Sequence, residues 1–163
     1  MQTDVLIIGC GIAGAVTALR LAQDSQRQIT LITRDPNPAE SNSNYAQGGI
    51  VARGEGDSEE LLIQDIIRAG GNFSYPPAVQ LIAQEGPRLV EELLLKTAQV
   101  PFDRDRKGNL IYSLEAAHSC KRILHVSDMT GQAIMRALLL KLQEYPNINF
   151  LTNHTAVDLI TFP

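Results

Sequence analysis

The chain has 163 residues, 44% hydrophobic and 20% charged, and a formal net charge of −4. That balance affords a sizeable core and excludes global disorder, and an acidic chain without a long basic run argues against nucleic acid as a partner. Cys10 and Cys120 lie far apart with no C-x-x-C spacing, which argues against a disulfide scaffold or a zinc site and for a reducing compartment.

Asp4-Val5-Leu6-Ile7-Ile8 is a short, β-branched run and predicts a buried parallel strand. With a strand starting so early there is no room for a signal peptide. No apolar run reaches the roughly 18 residues that a membrane span needs. The expected location is therefore cytosolic, or plastid after removal of a transit peptide. Ala15–Ala22 predicts a helix, and Ile29–Thr33 a second buried strand.

Between the first strand and the helix lies Gly9-Cys10-Gly11-Ile12-Ala13-Gly14, a G-x-G-x-x-G pattern in the strand–turn–helix–strand setting of a dinucleotide-binding fingerprint. Gly9 allows the tight turn, Gly11 lets backbone approach a pyrophosphate, and Gly14 lets the helix pack on the strand. The helix N-terminus then offers free N–H groups to the phosphates. Cys10 is expected to be a small packed residue. Such sites usually place Asp or Glu on the ribose about 20 residues further on, whereas this chain has Thr33-Arg34. Thr33 could bond a ribose hydroxyl and Arg34 could suit a 2′-phosphate, so this position leaves the nucleotide open.

Asp35-Pro36-Asn37-Pro38 predicts a turn. The run from Glu40 to Ile50 is polar and closes on Gly48-Gly49; it reads either as a surface loop or as backbone wrapped around a polar ligand. A helix is expected from Asp57 to about Ala69, with Asp57 as N-cap, Leu62, Ile63, Ile66 and Ile67 on its buried side, solvated charges, and Gly70-Gly71 as its stop. Pro76-Pro77 opens another helix, interrupted at Gly86-Pro87 and resumed to Thr97, with Leu89, Val90, Leu93 and Leu94 packing. Asp103, Asp105 and Gly108 imitate the start of a calcium loop, but Lys107 holds a ligand position and Leu114 replaces the required Glu. The segment reads as a charged turn before a short strand, Leu110-Ile111-Tyr112.

From Glu115 to His125 the chain brings together a carboxylate, His118, His125, Lys121 and Arg122. Without a second ligand cluster no metal is assigned, and the histidines are expected to orient neighbours or bond backbone. Asp128-Met129-Thr130-Gly131 should cap a helix running to about Glu144, whose N-terminus is a further potential anion seat. Strands are expected at Ile148–Leu151 and Ala156–Ile160, with His154 solvated between them.

The Ala46-Gln47-Gly48-Gly49-Ile50 run resembles the A-Q-G-G-I segment of the flavoproteins grouped as succinate dehydrogenase, fumarate reductase and L-aspartate oxidase. The resemblance implies FAD lying along Asn42, Ser43, Asn44, Tyr45, Ala46, Gln47, Gly48 and Gly49, with Gly9–Gly14, Thr33 and Arg34 completing the cofactor site. V-P-F-D-R-D at Val100–Asp105, E-x-x-H-S at Glu115–Ser119 and R-I-L-H-x-x-D-x-T-G at Arg122–Gly131 resemble the L-aspartate oxidase branch.

Several expectations follow from that likeness. The fold is α/β, a glutathione-reductase-like Rossmann FAD-binding domain with a βαβ start, a helical insert and further strands. Residues 1–163 would be its N-terminal part, with a capping domain, a C-terminal helical domain and the family's proton-transferring arginine further along the parent chain. The reaction would be oxidation of L-aspartate to iminoaspartate, the first step of NAD biosynthesis. Oxygen or fumarate would be the acceptor, and quinolinate synthase the downstream partner. Glu115 matches the family's substrate-orienting glutamate. Asn42 stands where respiratory members usually carry a histidine bonded to the flavin, which implies non-covalent FAD.

The chain departs from the family in having Ala116-Ala117 for Gly-Gly and Val126-Ser127 for Ala-Ala. A soluble fumarate reductase and a non-catalytic dinucleotide-binding module remain the alternatives.

Overall fold

The computed structural model describes residues 2–24 and 26–161; residues 1, 25, 162 and 163 of the expected FAD-binding part lie outside that description. In chain order the elements are β1 (Val5–Ile8), α1 (Ile12–Ala22), β2 (Ile29–Ile32), a 3-10 turn (Asn42–Tyr45), β3 (Ile50–Val51), α2 (Glu59–Ala69), α3 (Pro76–Leu89) running on as a π-helix (Val90–Thr97), β4 (Ile123–Leu124), α4 (Thr130–Leu142) and β5 (Ile148–Leu151). They form two compact units, one comprising residues up to 46 and from 131 onward, the other Gln47–Thr130.

The first unit is built on a parallel sheet of order β1-β2-β5, with Val5 opposite Ile29 and Ile29 opposite Ile148. β2 is central and all four of its residues are buried. β1, expected to be buried, instead exposes Leu6 and Ile8. Ile7 lies on the face that meets α1 at Gly14, and alternation sends its neighbours to the uncovered face. α1 buries Ala15, Ala18, Leu19 and Ala22, the spacing of a single helical stripe. It starts at Ile12, earlier than expected, because the x-x-G of the glycine pattern forms its first turn.

Buried Asn147 ties the α1–β2 connection to the start of β5, donating through Nδ2 to the carbonyls of Ala22, Asp24 and Arg27 at 3.0–3.4 Å. The expected strand at Ala156–Ile160 does not form, and Val157 is 93% exposed. Its short apolar run pairs with no strand among the described residues, and composition alone does not satisfy backbone.

In the second unit β3 and β4 pair antiparallel, Ile50 with Leu124 and Val51 with Ile123, while α2 packs against α3. The N-cap of α2 is Ser58, whose Oγ accepts from the Leu61 N–H at 3.2 Å, and not Asp57. The interruption expected at Gly86-Pro87 is also absent. The helix runs through Pro87 and widens into π turns. Proline has no N–H for the carbonyl four residues back, and that oxygen, on Ala83, accepts from Arg53 Nη2 at 3.2 Å instead. The expected strand at Leu110–Tyr112 is reduced to isolated bridges, Arg104 with Leu110 and Ser113 with Ile123.

Candidate functional site

The glycine turn at the end of β1 has the shape its sequence predicts. Gly9 sits at φ +103°, with nothing within 4 Å of where a Cβ would stand. A Cβ on Gly14 would run into the carbonyl oxygen of Gly9, so α1 can approach the strand only through glycine. Gly11 is the extended N-cap of α1, and the N–H groups of Ala13 and Gly14 have no intrahelical acceptor. The Ile12 N–H donates to Ser43 Oγ at 3.1 Å. Cys10 is buried and burial pushes its thiol pKa up, the behaviour of a packed residue. Open space beside Gly9 and two uncommitted N–H groups at a helix N-terminus fit a pyrophosphate.

At the end of β2 Thr33 is buried, its N–H donating to Leu151 and its carbonyl accepting from His154. Arg34 and His154 are exposed. The Asn42–Tyr45 turn stands over the start of α1 through Ser43, and Tyr45 donates its hydroxyl to the Glu40 carboxylate. At the N-terminus of α4, expected as an anion seat, one donor is taken by protein: the Gly131 N–H donates to the Ala46 carbonyl at 2.9 Å.

Gln47, Gly48, Gly49 and Glu115 belong to the second unit. Gln47 and Gly48 are exposed. A Cβ on Gly49 would strike Ile123 and the Leu124 carbonyl, so this glycine serves the β3–β4 approach. Glu115 is exposed, with Oε1 accepting from Ser113 Oγ at 2.8 Å. Ala116 beside it adopts φ +47°, a conformation that glycine takes more readily than alanine.

The loop carrying Glu115 is anchored at Ser119, whose N–H and Oγ both donate to Asp65 Oδ2, at 2.8 and 2.9 Å. Arg122 is 0% exposed. Its Nη1 donates to the same Asp65 oxygen, and its Nη2 to Asp57 Oδ1, both at 2.8 Å. Cys120 Sγ and His118 Nδ1 complete its surroundings at 2.9 and 3.2 Å.

Burial works to raise the Asp65 pKa, but the Ser119 hydrogen bonds and the Arg122 charge outweigh it and hold the carboxyl below its ordinary range. Burial, reinforced by Asp57, pushes the Cys120 thiol up despite Arg122. His125 meets the earlier segment around Asp103: its carbonyl accepts from the Asp103 N–H, and its Nε2 lies 3.5 Å from Asp103 Oδ2. Among the described residues no cluster of three His, Cys, Asp or Glu could hold a metal ion, and no helix is long and apolar enough to cross a membrane.

Asp57 and Asp65 were expected as a cap and a solvated charge. Asp65 follows Leu62 by three residues and precedes Ile66, on the apolar side of α2. An acid in that place signals a buried cation, and Arg122 beside Ile123-Leu124 is the one it finds.

A family described as "FAD binding domain" matches residues 4–162. The chain belongs to this family. As an FAD binding domain it takes FAD as its cofactor, and its parallel sheet and glycine turn are those of an α/β dinucleotide-binding fold.

This FAD binding domain is similar to the chloroplastic L-aspartate oxidase of Arabidopsis thaliana, 41% identical over 97% of the chain and 24% of the relative. It is 38% identical to the L-aspartate oxidase of Halobacterium salinarum, over 98% of the chain and 30% of the relative. For that of Clostridium acetobutylicum the values are 35%, 99% and 36%. The chain therefore spans between a quarter and about a third of the length of these relatives.

Among solved structures, a Mycobacterium smegmatis Sdh1 complex superposes with a TM-score of 0.80 at 28% identity, over 93% of the chain and 27% of the other. An E. coli quinol fumarate reductase superposes at 0.86 and 24%, over 94% and 26%, a likeness of fold.

Proposed function

We propose that this chain is the N-terminal, cofactor-holding part of an L-aspartate oxidase that converts L-aspartate to iminoaspartate on non-covalent FAD, with oxygen or fumarate as acceptor. The observation that carries this reading is the identity of 35–41% to L-aspartate oxidases over 97–99% of the chain, against 24–28% to the fumarate reductase and Sdh1 structures. The capping and C-terminal helical domains belong, on this reading, to the rest of the parent protein. The product passes to a quinolinate synthase, in the cytosol or, as the names of the plant relatives suggest, in a plastid.

Within the chain, Gly9–Gly14 hold the pyrophosphate through the Ala13 and Gly14 N–H groups, with Cys10 as packing beneath and Ser43 beside them. Thr33 and Arg34 flank the ribose, and Asn42–Gly49 line the flavin. When bound, FAD would supply the hydride acceptor and a route for the electrons to oxygen or fumarate. Glu115 receives the substrate's ammonium group and orients the α-carbon for hydride loss. Asn42, at the place of the flavin-bonding histidine of respiratory relatives, cannot make that bond.

The test is turnover by the full-length protein. L-aspartate should be oxidised with formation of peroxide or with reduction of fumarate, and acid precipitation should leave yellow flavin in the supernatant. Fumarate reduction without any turnover of L-aspartate would assign the chain to a soluble fumarate reductase, and inertness toward both to a binding module.

A further inference from the structure

The Asn42–Tyr45 turn is gripped by glycines on two sides. On one side the Ile12 N–H donates to Ser43 Oγ, and a Cβ on Gly11 would stand 3.3 Å from that oxygen and 3.8 Å from Ser41 Cβ. On the other side the Gly131 N–H donates to the Ala46 carbonyl. A Cβ on Gly131 would overlap the carbonyl oxygens of Ser43 and Ala46 and stand 2.9 Å from Ala46 Cβ. Within the turn the Asn44 N–H donates to the Ser41 carbonyl at 3.0 Å, while at its exit the Ala46 N–H reaches the Ser43 carbonyl only at 3.4 Å.

We propose that Gly131 is a positioning residue for the cofactor site. The first turn of α4 sets the Ser43–Ala46 backbone, and Ser43 in turn caps α1 where the pyrophosphate is received. Gly131 itself is buried, and α4 is held by buried Ile134, Met135, Leu138 and Leu142. The turn it touches presents Asn42, Tyr45 and Ala46 to solvent. A methyl group at position 131 meets backbone oxygens, which cannot swing aside as a side-chain end can. The partner with the more exposed side moves, and that partner is the turn. Gly11 gains a second reason to be glycine: it admits the Ser43 hydroxyl as well as a phosphate. Ser43 thereby neutralises one helix-end donor and leaves the next two for the ligand.

This inference rests on FAD as the ligand, and its test separates the two. In the full-length protein, Gly131→Ala is compared with the parent by quenching of flavin fluorescence on FAD titration, and by hydrogen exchange at the Ile12 amide without FAD. The Kd for FAD should rise at least about tenfold, the loss of one charge-assisted hydrogen bond. The Ile12 amide should exchange faster while β2 amides keep their protection. An unchanged Kd or an unchanged Ile12 amide overturns the proposal.

If Gly131→Ala does not fold, Ser43→Ala removes the acceptor without adding an atom. It should likewise free the Ile12 amide and weaken FAD at least about threefold, the effect of one neutral hydrogen bond; no change in either overturns the proposal. A parent protein that binds no FAD strikes instead at the ligand, and the Ile12 amide still reports on the clamp.

Discussion

Arg53 Nη2 donates to the carbonyl oxygen of Ala83, the oxygen that Pro87 leaves without a helical donor. The proline costs α3 a hydrogen bond, and a cation from before α2 supplies the replacement. Arg53→Ala should therefore destabilise the protein by about 1–3 kcal/mol, the cost of a buried acceptor left unsatisfied. In a Pro87→Ala background the restored N–H at 87 should recover most of that loss. Urea unfolding of the four proteins checks it, and an Arg53→Ala penalty that is the same with and without the proline would show that the two residues are not coupled.

Asp65 links stability to pH. Its carboxyl pKa is depressed in the folded protein, so its contribution is fully present above the unfolded value of about 3.9 and is lost as pH falls through the folded value. Asp65→Asn should destabilise the protein at neutral pH, where Arg122 loses one of its two buried carboxylates. It should also flatten the fall in stability below about pH 4. Equal acid slopes for the two proteins would place the acid-labile group elsewhere.

Ala116 stands at φ +47° in the loop after Glu115. Left-handed backbone costs a Cβ-bearing residue roughly 1–2 kcal/mol, offset in part by the larger unfolded-state entropy of glycine. Ala116→Gly should raise stability by up to about 1 kcal/mol, read as a higher urea midpoint at constant m. A lower midpoint would mean that the loop holds the residue without strain.

Glu115 carries the substrate prediction. Its carboxylate is exposed and accepts from Ser113, which leaves acceptor capacity for an ammonium group. A charge-assisted bond of about 1.5–3 kcal/mol to the substrate amine would be lost only for aspartate, since fumarate has no amine. Glu115→Gln should lower kcat/KM for aspartate by roughly ten- to a hundredfold and change fumarate reduction far less. Equal losses for both substrates would assign Glu115 to the loop or the flavin.

The β1–α1–β2 core was legible because two short β-branched runs flank a glycine pattern whose spacing suits one turn. Gly9 and Gly14 show their reasons locally, in a positive φ and a near collision. Gly11 and Gly131 do not, for both have partners in the Ser43 turn, 31 positions from Ile12 in the first case. The buried ion pairs were hidden for the same reason, with Arg122 lying 57 and 65 residues from its two carboxylates. Asp57 reads as an N-cap because Asp and Ser are equally good caps, and Ser58 took the place. Pro87 reads as a break because the cation that satisfies Ala83 is 30 residues away.

The account stands most directly on the anaerobic reaction of the full-length protein with L-aspartate. Mixing should bleach the visible absorption of bound FAD, and added fumarate or oxygen should restore it. Flavin that stays oxidised with L-aspartate, in a protein that holds FAD and reoxidises normally after chemical reduction, would contradict the assignment.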